Sequence, residues 1–135
     1  MTNYLLITSR ATLENKMWEL LDAVTAKAKK RFSVFEFDFD HRPGTYQKDR
    51  GVIPVVVTDE IDLELISYFL EKRKKNSEYF ITFFVIFDYS RIKKSEMEYF
   101  EKNIEQMNKY DMYLVVCSEK SVSSPFLNQH FDVAK

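Results

Sequence analysis

The chain has 135 residues, 45% of them hydrophobic and 16% aromatic, enough for one domain with a substantial core. A formal net charge of −1 excludes a global field drawing it to nucleic acid or an anionic membrane. Its one cysteine, Cys117, excludes an internal disulfide and fits a reducing compartment, and no apolar run approaches the ~20 residues of a membrane helix.

Taken in order, residues 4–7 predict a short buried strand. No basic segment precedes it, and it is too short for a signal peptide. Residues 12–30 predict a helix with Leu13, Met17, Leu20, Leu21, Val24 and Ala28 on one face, capped by Thr12 or Ser9. Its basic end, Lys27 to Arg31, complements the helix dipole. Residues 32–40 alternate aromatic or β-branched with polar side chains and predict the second strand. Asp38 and Asp40 beside His41 suggest metal ligands, but neighbours on a strand point to opposite faces and do not converge. Residues 41–50 predict an irregular loop, 52–57 a third strand, and Thr58-Asp59-Glu60 the acidic opening of a second helix. Leu63, Ile66, Leu70, Tyr68 and Phe69 supply that helix's apolar face, and Lys72 to Lys75 a solvated basic end.

The unbroken run 79–87 predicts the central strand, covered on both faces and ending in Asp88-Tyr89. A third helix over 95–110 turns Met97, Phe100, Ile104 and Met107 inward, and 112–117 predicts a fifth strand ending in Ser118-Glu119. Ser124 and Pro125 predict the N-cap and first position of a short last helix, 126–131. Helices between strands require parallel pairing through crossovers. The expectation is an α/β fold, doubly wound, with a mainly parallel five-stranded sheet, as a single domain over 1–135.

The turn after the first strand is where an α/β protein would carry a phosphate-binding loop. Against G-x-x-x-x-G-K-[ST], Thr8 takes the first glycine position, Leu13 the second, Glu14 the lysine position and Asn15 the Ser/Thr position. The chain's two glycines, Gly44 and Gly51, both lie in the 41–51 loop, so no strand-to-helix turn has one.

Five stretches together resemble, in order and spacing, the motor domain of FtsK/SpoIIIE-type translocating ATPases. These are residues 5–21 in the register of a Walker A segment, 35–40, Gly51 to Asp59 leading into 63–73, 79–88 in the place of Walker B, and 104–119. The similarity covers roughly residues 4–131. It implies a P-loop NTPase (RecA/FtsK-like) topology with a degenerate P-loop. Asp88 matches the first Walker B acid, Tyr89 stands where the second would be, and Glu119 replaces the sensor glutamine. With Glu14 in place of lysine, the resemblance implies a vestigial nucleotide site at Thr8, Leu13, Glu14, Asn15, Asp88, Tyr89 and Glu119. It implies no catalytic residues, no metal and no cofactor, hence a pseudo-ATPase. Among such proteins, the type VII secretion ATPases of the EssC/EccC family carry tandem domains, some degenerate.

The expectation is therefore a non-hydrolysing module of a type VII secretion motor. It would recognise a secreted helical protein or its C-terminal signal, or regulate adjacent ATPase domains, through Tyr89, Arg91, Arg10 and His41. It would be cytoplasmic, alone or as part of a membrane-anchored protein, without inserting into the membrane itself. The alternatives are a stand-alone protein- or nucleic-acid-binding α/β module, or a weakly active nucleotide-binding protein. Nucleic acid would require the two basic helix ends to share one face with aromatics between them.

Overall fold

The structure, a computed structural model, describes residues 1–26, 28, 31–39 and 55–134, without the side chains of 55–57. The expectations for Lys27, Lys29, Lys30, Asp40, His41, the remainder of the 41–50 loop and residues 51–54 lie outside the described residues.

Six strands are described: β1 (Asn3–Ile7), β2 (Phe32–Asp38), β3 (Val55–Thr58), β4 (Ile81–Phe87), β5 (Met112–Ser118) and β6 (Phe131–Ala134). They form one sheet in the order β3-β2-β4-β5-β1-β6, and every pairing is parallel. Four helices accompany them: α1 (Leu13–Ala26), α2 (Leu63–Arg73), α3 (Lys94–Lys109) and α4 (Pro125–His130). The doubly wound α/β expectation holds.

The strand count is a correction, from five to six. Residue 131, expected in the last helix, begins β6, which pairs with β1 from Asn3↔Phe131 to Leu6↔Ala134. Phe131 is buried among the α2–α3–α4 side of the core, whereas Asp132 and Val133 are exposed. So short a segment carries little periodicity of its own; the free edge of β1 recruits it.

Each element forms for a local reason. Asp62 caps α2, its Oδ1 accepting from the Leu65 N–H at 3.0 Å, and Ser124 Oγ accepts from the Leu127 N–H at 3.1 Å ahead of Pro125 in α4. The α3 terminus is closed by Glu96, whose Oε1 accepts from the Lys93 N–H at 2.8 Å. α1 starts at Leu13, after a 3-10 turn at Arg10–Thr12.

The sheet is covered on both faces. Met17, Trp18 and Leu21 of α1 pack with Phe32, Val34, Phe83, Val85, Tyr113 and Val115 on one side. α2, α3 and α4 cover the other side, with Ile66, Leu70, Phe100, Ile104, Met107, Phe126 and Leu127 against Phe37, Phe84, Ile86 and Leu114. β4 and β5 are the two middle strands. All seven residues of β4 are buried, as expected of a doubly covered strand. β4 starts at Ile81 rather than 79, because Arg73 Nη2 takes the Phe80 carbonyl at 2.7 Å and holds it out of the ladder.

The N-terminal end of β1 is fixed by Asn3, which is fully buried. Its Nδ2 donates to Asn108 Oδ1 (2.9 Å) and the His130 carbonyl (3.0 Å), and its Oδ1 accepts from the Leu114 N–H (2.9 Å). One side chain therefore ties β1 to α3, β5 and the end of α4, with its polar atoms satisfied.

Candidate functional site

Strand order decides where a ligand can enter. β1 and β5 are neighbours, yet the helix after β1 lies on one face of the sheet and the helix after β5 on the other. The two connections diverge at the carboxyl ends of the strands, and in open α/β sheets the crevice left there is the usual binding position. A cavity of about 370 Å³ occupies it. Three turns line it: Thr8, Arg10 and Leu13 after β1; Asp88, Tyr89 and Ser90 after β4; and Ser118, Glu119, Lys120 and Val122 after β5, with Cys117 in the wall.

The first turn is closed on itself. Thr8 Oγ1 and Thr12 Oγ1 lie 2.6 Å apart, Ser9 Oγ and Thr12 Oγ1 lie 3.1 Å apart, and the Thr12 N–H donates to the Ser9 carbonyl at 3.1 Å. A phosphate loop instead presents its N–H groups outward around the anion. The Thr8 N–H is also occupied, by the Ser118 carbonyl at 3.1 Å. Leu13, in the second glycine position, is 5% exposed and packs into the α1 side of the core.

Arg10 is committed to another task. Its Nη2 donates to both oxygens of Asp38, each at 3.0 Å, and its guanidinium stands 5.3 Å from the centre of the Phe87 ring. This explains Asp38, one of the acids considered as a metal ligand: it is nearly buried and bound to arginine. Among the described residues, no group of three or more His, Cys, Asp or Glu could hold a metal ion.

Asp88 has φ 85° and ψ 93°, a region costly for a residue with a Cβ. Its carboxylate caps the following 3-10 turn, Tyr89–Arg91, accepting from the Ser90 N–H at 3.1 Å and the Ser90 hydroxyl at 2.6 Å. Tyr89 is half-buried against the core, and the Arg91 guanidinium stacks 4.9 Å from the Phe39 ring centre. After β5, Ser118 Oγ donates to the Lys120 carbonyl at 2.6 Å, which tightens the turn and leaves Glu119 exposed. Burial pushes the Cys117 thiol up, with Glu36 adding to the effect and Arg10 opposing it. A thiol that keeps its proton is a poor nucleophile.

Of the residues singled out from the sequence, Thr8, Arg10, Leu13, Asp88, Tyr89 and Glu119 meet around this cavity. Glu14, Asn15 and Arg91 are not among its lining residues. Glu14 lies on the first turn of α1, close enough to Glu36 for its charge to act there. His41 lies outside the described residues.

Sequence reasoning missed Glu36. It shares the α1 side of β2 with Asp38, is 2% exposed, and its Oε1 has no hydrogen-bond partner among the described residues. Burial, then Glu14, then Asp38 raise its pKa to about 8. The available signal was a charged residue midway along a strand that a doubly wound sheet covers on both faces.

No helix among the described residues is long and apolar enough to cross a membrane. Comparisons with protein-family models, with curated proteins and with solved structures find no match to this chain.

Proposed function

We propose that this chain is a non-hydrolysing pseudo-ATPase module of the FtsK/SpoIIIE type. On this reading it serves a type VII secretion motor by binding a secreted helical segment or an adjacent ATPase domain. The observation that carries the reading is the cavity at the carboxyl ends of β1, β4 and β5. A nucleotide site needs a phosphate loop, a magnesium-binding acid and a sensor residue around one space. Three of the five stretches that carry the resemblance border one space here. Leu13 stands in place of the loop glycine, Tyr89 in place of the second Walker B acid and Glu119 in place of the sensor glutamine, while Asp88 keeps the first acid.

The first turn has its hydroxyls and one N–H bonded internally, a leucine in place of glycine, and its arginine bound to Asp38. Asp88 and Glu119 bring negative charge to the lining, against Arg10 and the single lysine Lys120. Like charge beside a triphosphate costs several kcal/mol even after screening. The same lining suits a polypeptide: Tyr89 and Val122 offer apolar contact, and the surrounding hydroxyls and carboxylates can pair with backbone and basic groups.

Calorimetric titration with ATP and magnesium tests the first half, and the expected result is no heat of binding. Clear micromolar affinity, or turnover abolished by Asp88→Ala, overturns it. NMR titration with the C-terminal helix of a secreted substrate and with a neighbouring motor domain tests the second half. Shifts at Thr8, Tyr89 and Glu119 that weaken in Tyr89→Ala are expected. Shifts confined to the opposite end of the sheet refute the crevice as the site.

A further inference from the structure

At the other end of the sheet, the α2 C-terminus meets the amino ends of β2 and β4 around a second cavity of about 350 Å³. Phe35, Phe69, Tyr79 and Phe80 form its aromatic walls. Phe80 is 37% exposed, and its carbonyl accepts from Arg73 Nη2. A shallower depression adjoins it, sharing Glu78, Tyr79 and Phe80 and adding Arg31.

The charge in this wall is unusual. Arg73 is 9% exposed, and every hydrogen bond it makes among the described residues goes to an uncharged oxygen. Nη1 donates to the carbonyls of Tyr110 (2.9 Å) and Asp111 (3.1 Å); Nη2 donates to the Phe80 carbonyl and the Thr82 hydroxyl. The guanidinium also lies 4.6 Å from the Tyr79 ring centre. These bonds satisfy its Nη donors and, among the described residues, no carboxylate accepts from it, although the Asp111 charge acts on it from nearby. Buried charges in proteins are ordinarily paired. Lys72 lines the same cavity with Arg73 and the acid Glu78, and the depression beside it adds Arg31 and Asp111.

We infer that this cavity binds a small organic carboxylate, its apolar body on Phe35, Phe69 and Phe80 and its anionic end toward Lys72 and Arg73. A concave aromatic site with a few convergent polar groups is the usual form of a small-molecule pocket, and this one has a suitable volume. The site lies at the opposite end of the strands from the β1–β4–β5 crevice and does not depend on the reading given to that crevice.

The experiment is an NMR titration of the whole chain with naphthalene-2-carboxylate, and in parallel with its neutral isostere naphthalene-2-carboxamide. The expected result is saturable shifts at Phe69, Lys72, Arg73 and Phe80, with the amide about tenfold weaker, the effect of losing one charge interaction. Lys72→Glu should weaken the carboxylate by a similar factor and leave the amide unchanged. Phe80→Ser should weaken both. Both substitutions are at exposed positions, and a thermal melt verifies that each variant is folded. Absence of saturation at millimolar concentration, equal binding of carboxylate and amide, or shifts centred on Thr8 and Glu119 overturns the proposal.

Discussion

Arg10, in the turn after β1, binds both carboxylate oxygens of Asp38 at the end of β2, although β4, β5 and the turn's own hydroxyls lie nearer in the sheet order. The bond crosses the carboxyl ends of the middle strands and packs over Phe87. It places the cation of the first turn on protein rather than leaving it for a ligand. Arg10→Ala removes this partner from a carboxylate that is nearly buried. It should destabilise the domain by roughly 1–3 kcal/mol, less than the 3–5 of a fully buried pair, because the arginine is partly exposed. Chemical denaturation of the wild type, Arg10→Ala, Asp38→Asn and the double variant measures the coupling. A double variant equal to the sum of the singles would show that the pair contributes nothing.

Asp88 combines a costly backbone conformation with two useful hydrogen bonds, so substitutions can separate the two effects. Asp88→Ala loses the cap on Ser90 and keeps the Cβ penalty at φ 85°. Asp88→Gly loses the cap but adopts this region freely. The glycine variant should therefore be more stable than the alanine variant by about 1 kcal/mol or more. Equal melting temperatures would mean that the turn relaxes around the substitution.

Glu36 makes stability depend on pH in an unusual direction. Its pKa is raised from an ordinary 4.5 to about 8, so between those values the folded state holds a proton that the unfolded chain has released. This contribution is fully present below pH 4.5 and is lost as pH rises toward 8, at about 1.4 kcal/mol per pH unit. Burial opposes its ionisation most, and the charges of Glu14 and Asp38 add to that. Glu36→Gln carries no such titration. The stability of Glu36→Gln relative to wild type should therefore climb from pH 5 to pH 8, in urea melts collected across that range. A difference that is flat with pH would place the Glu36 titration outside it.

Phe84 and Val85 point to opposite faces of β4, and both are fully buried. Phe84→Asp or Val85→Asp would bury an unpaired carboxylate between two layers, at a cost of several kcal/mol against marginal total stability. Both variants should lack a cooperative unfolding transition by circular dichroism. A soluble variant that melts like the wild type would contradict the central place of β4.

The sequence alone determined the fold class, the succession of elements as far as α4 and both faces of the core. The runs at β4 and β5 are long and apolar on both sides, and the helical stripes of α1 and α3 repeat at the period of one buried face. Capping by Ser124 with Pro125 was legible because it depends on residues next to one another. What only the tertiary structure decided involves partners distant along the chain. β6 exists because β1 leaves an edge open beside it, and four residues cannot announce that pairing by themselves. Arg10 could be counted from the sequence, but its commitment to Asp38, 28 positions away, could not. Glu36 looked like the solvent side of an alternating strand and is buried because α1 returns over that face. Arg73 looked like one cation in a solvated tail, yet it is buried where the ends of α2, β4 and α3 meet. Period and propensity are properties of neighbours in sequence, whereas burial of a charge depends on what the rest of the chain brings over it.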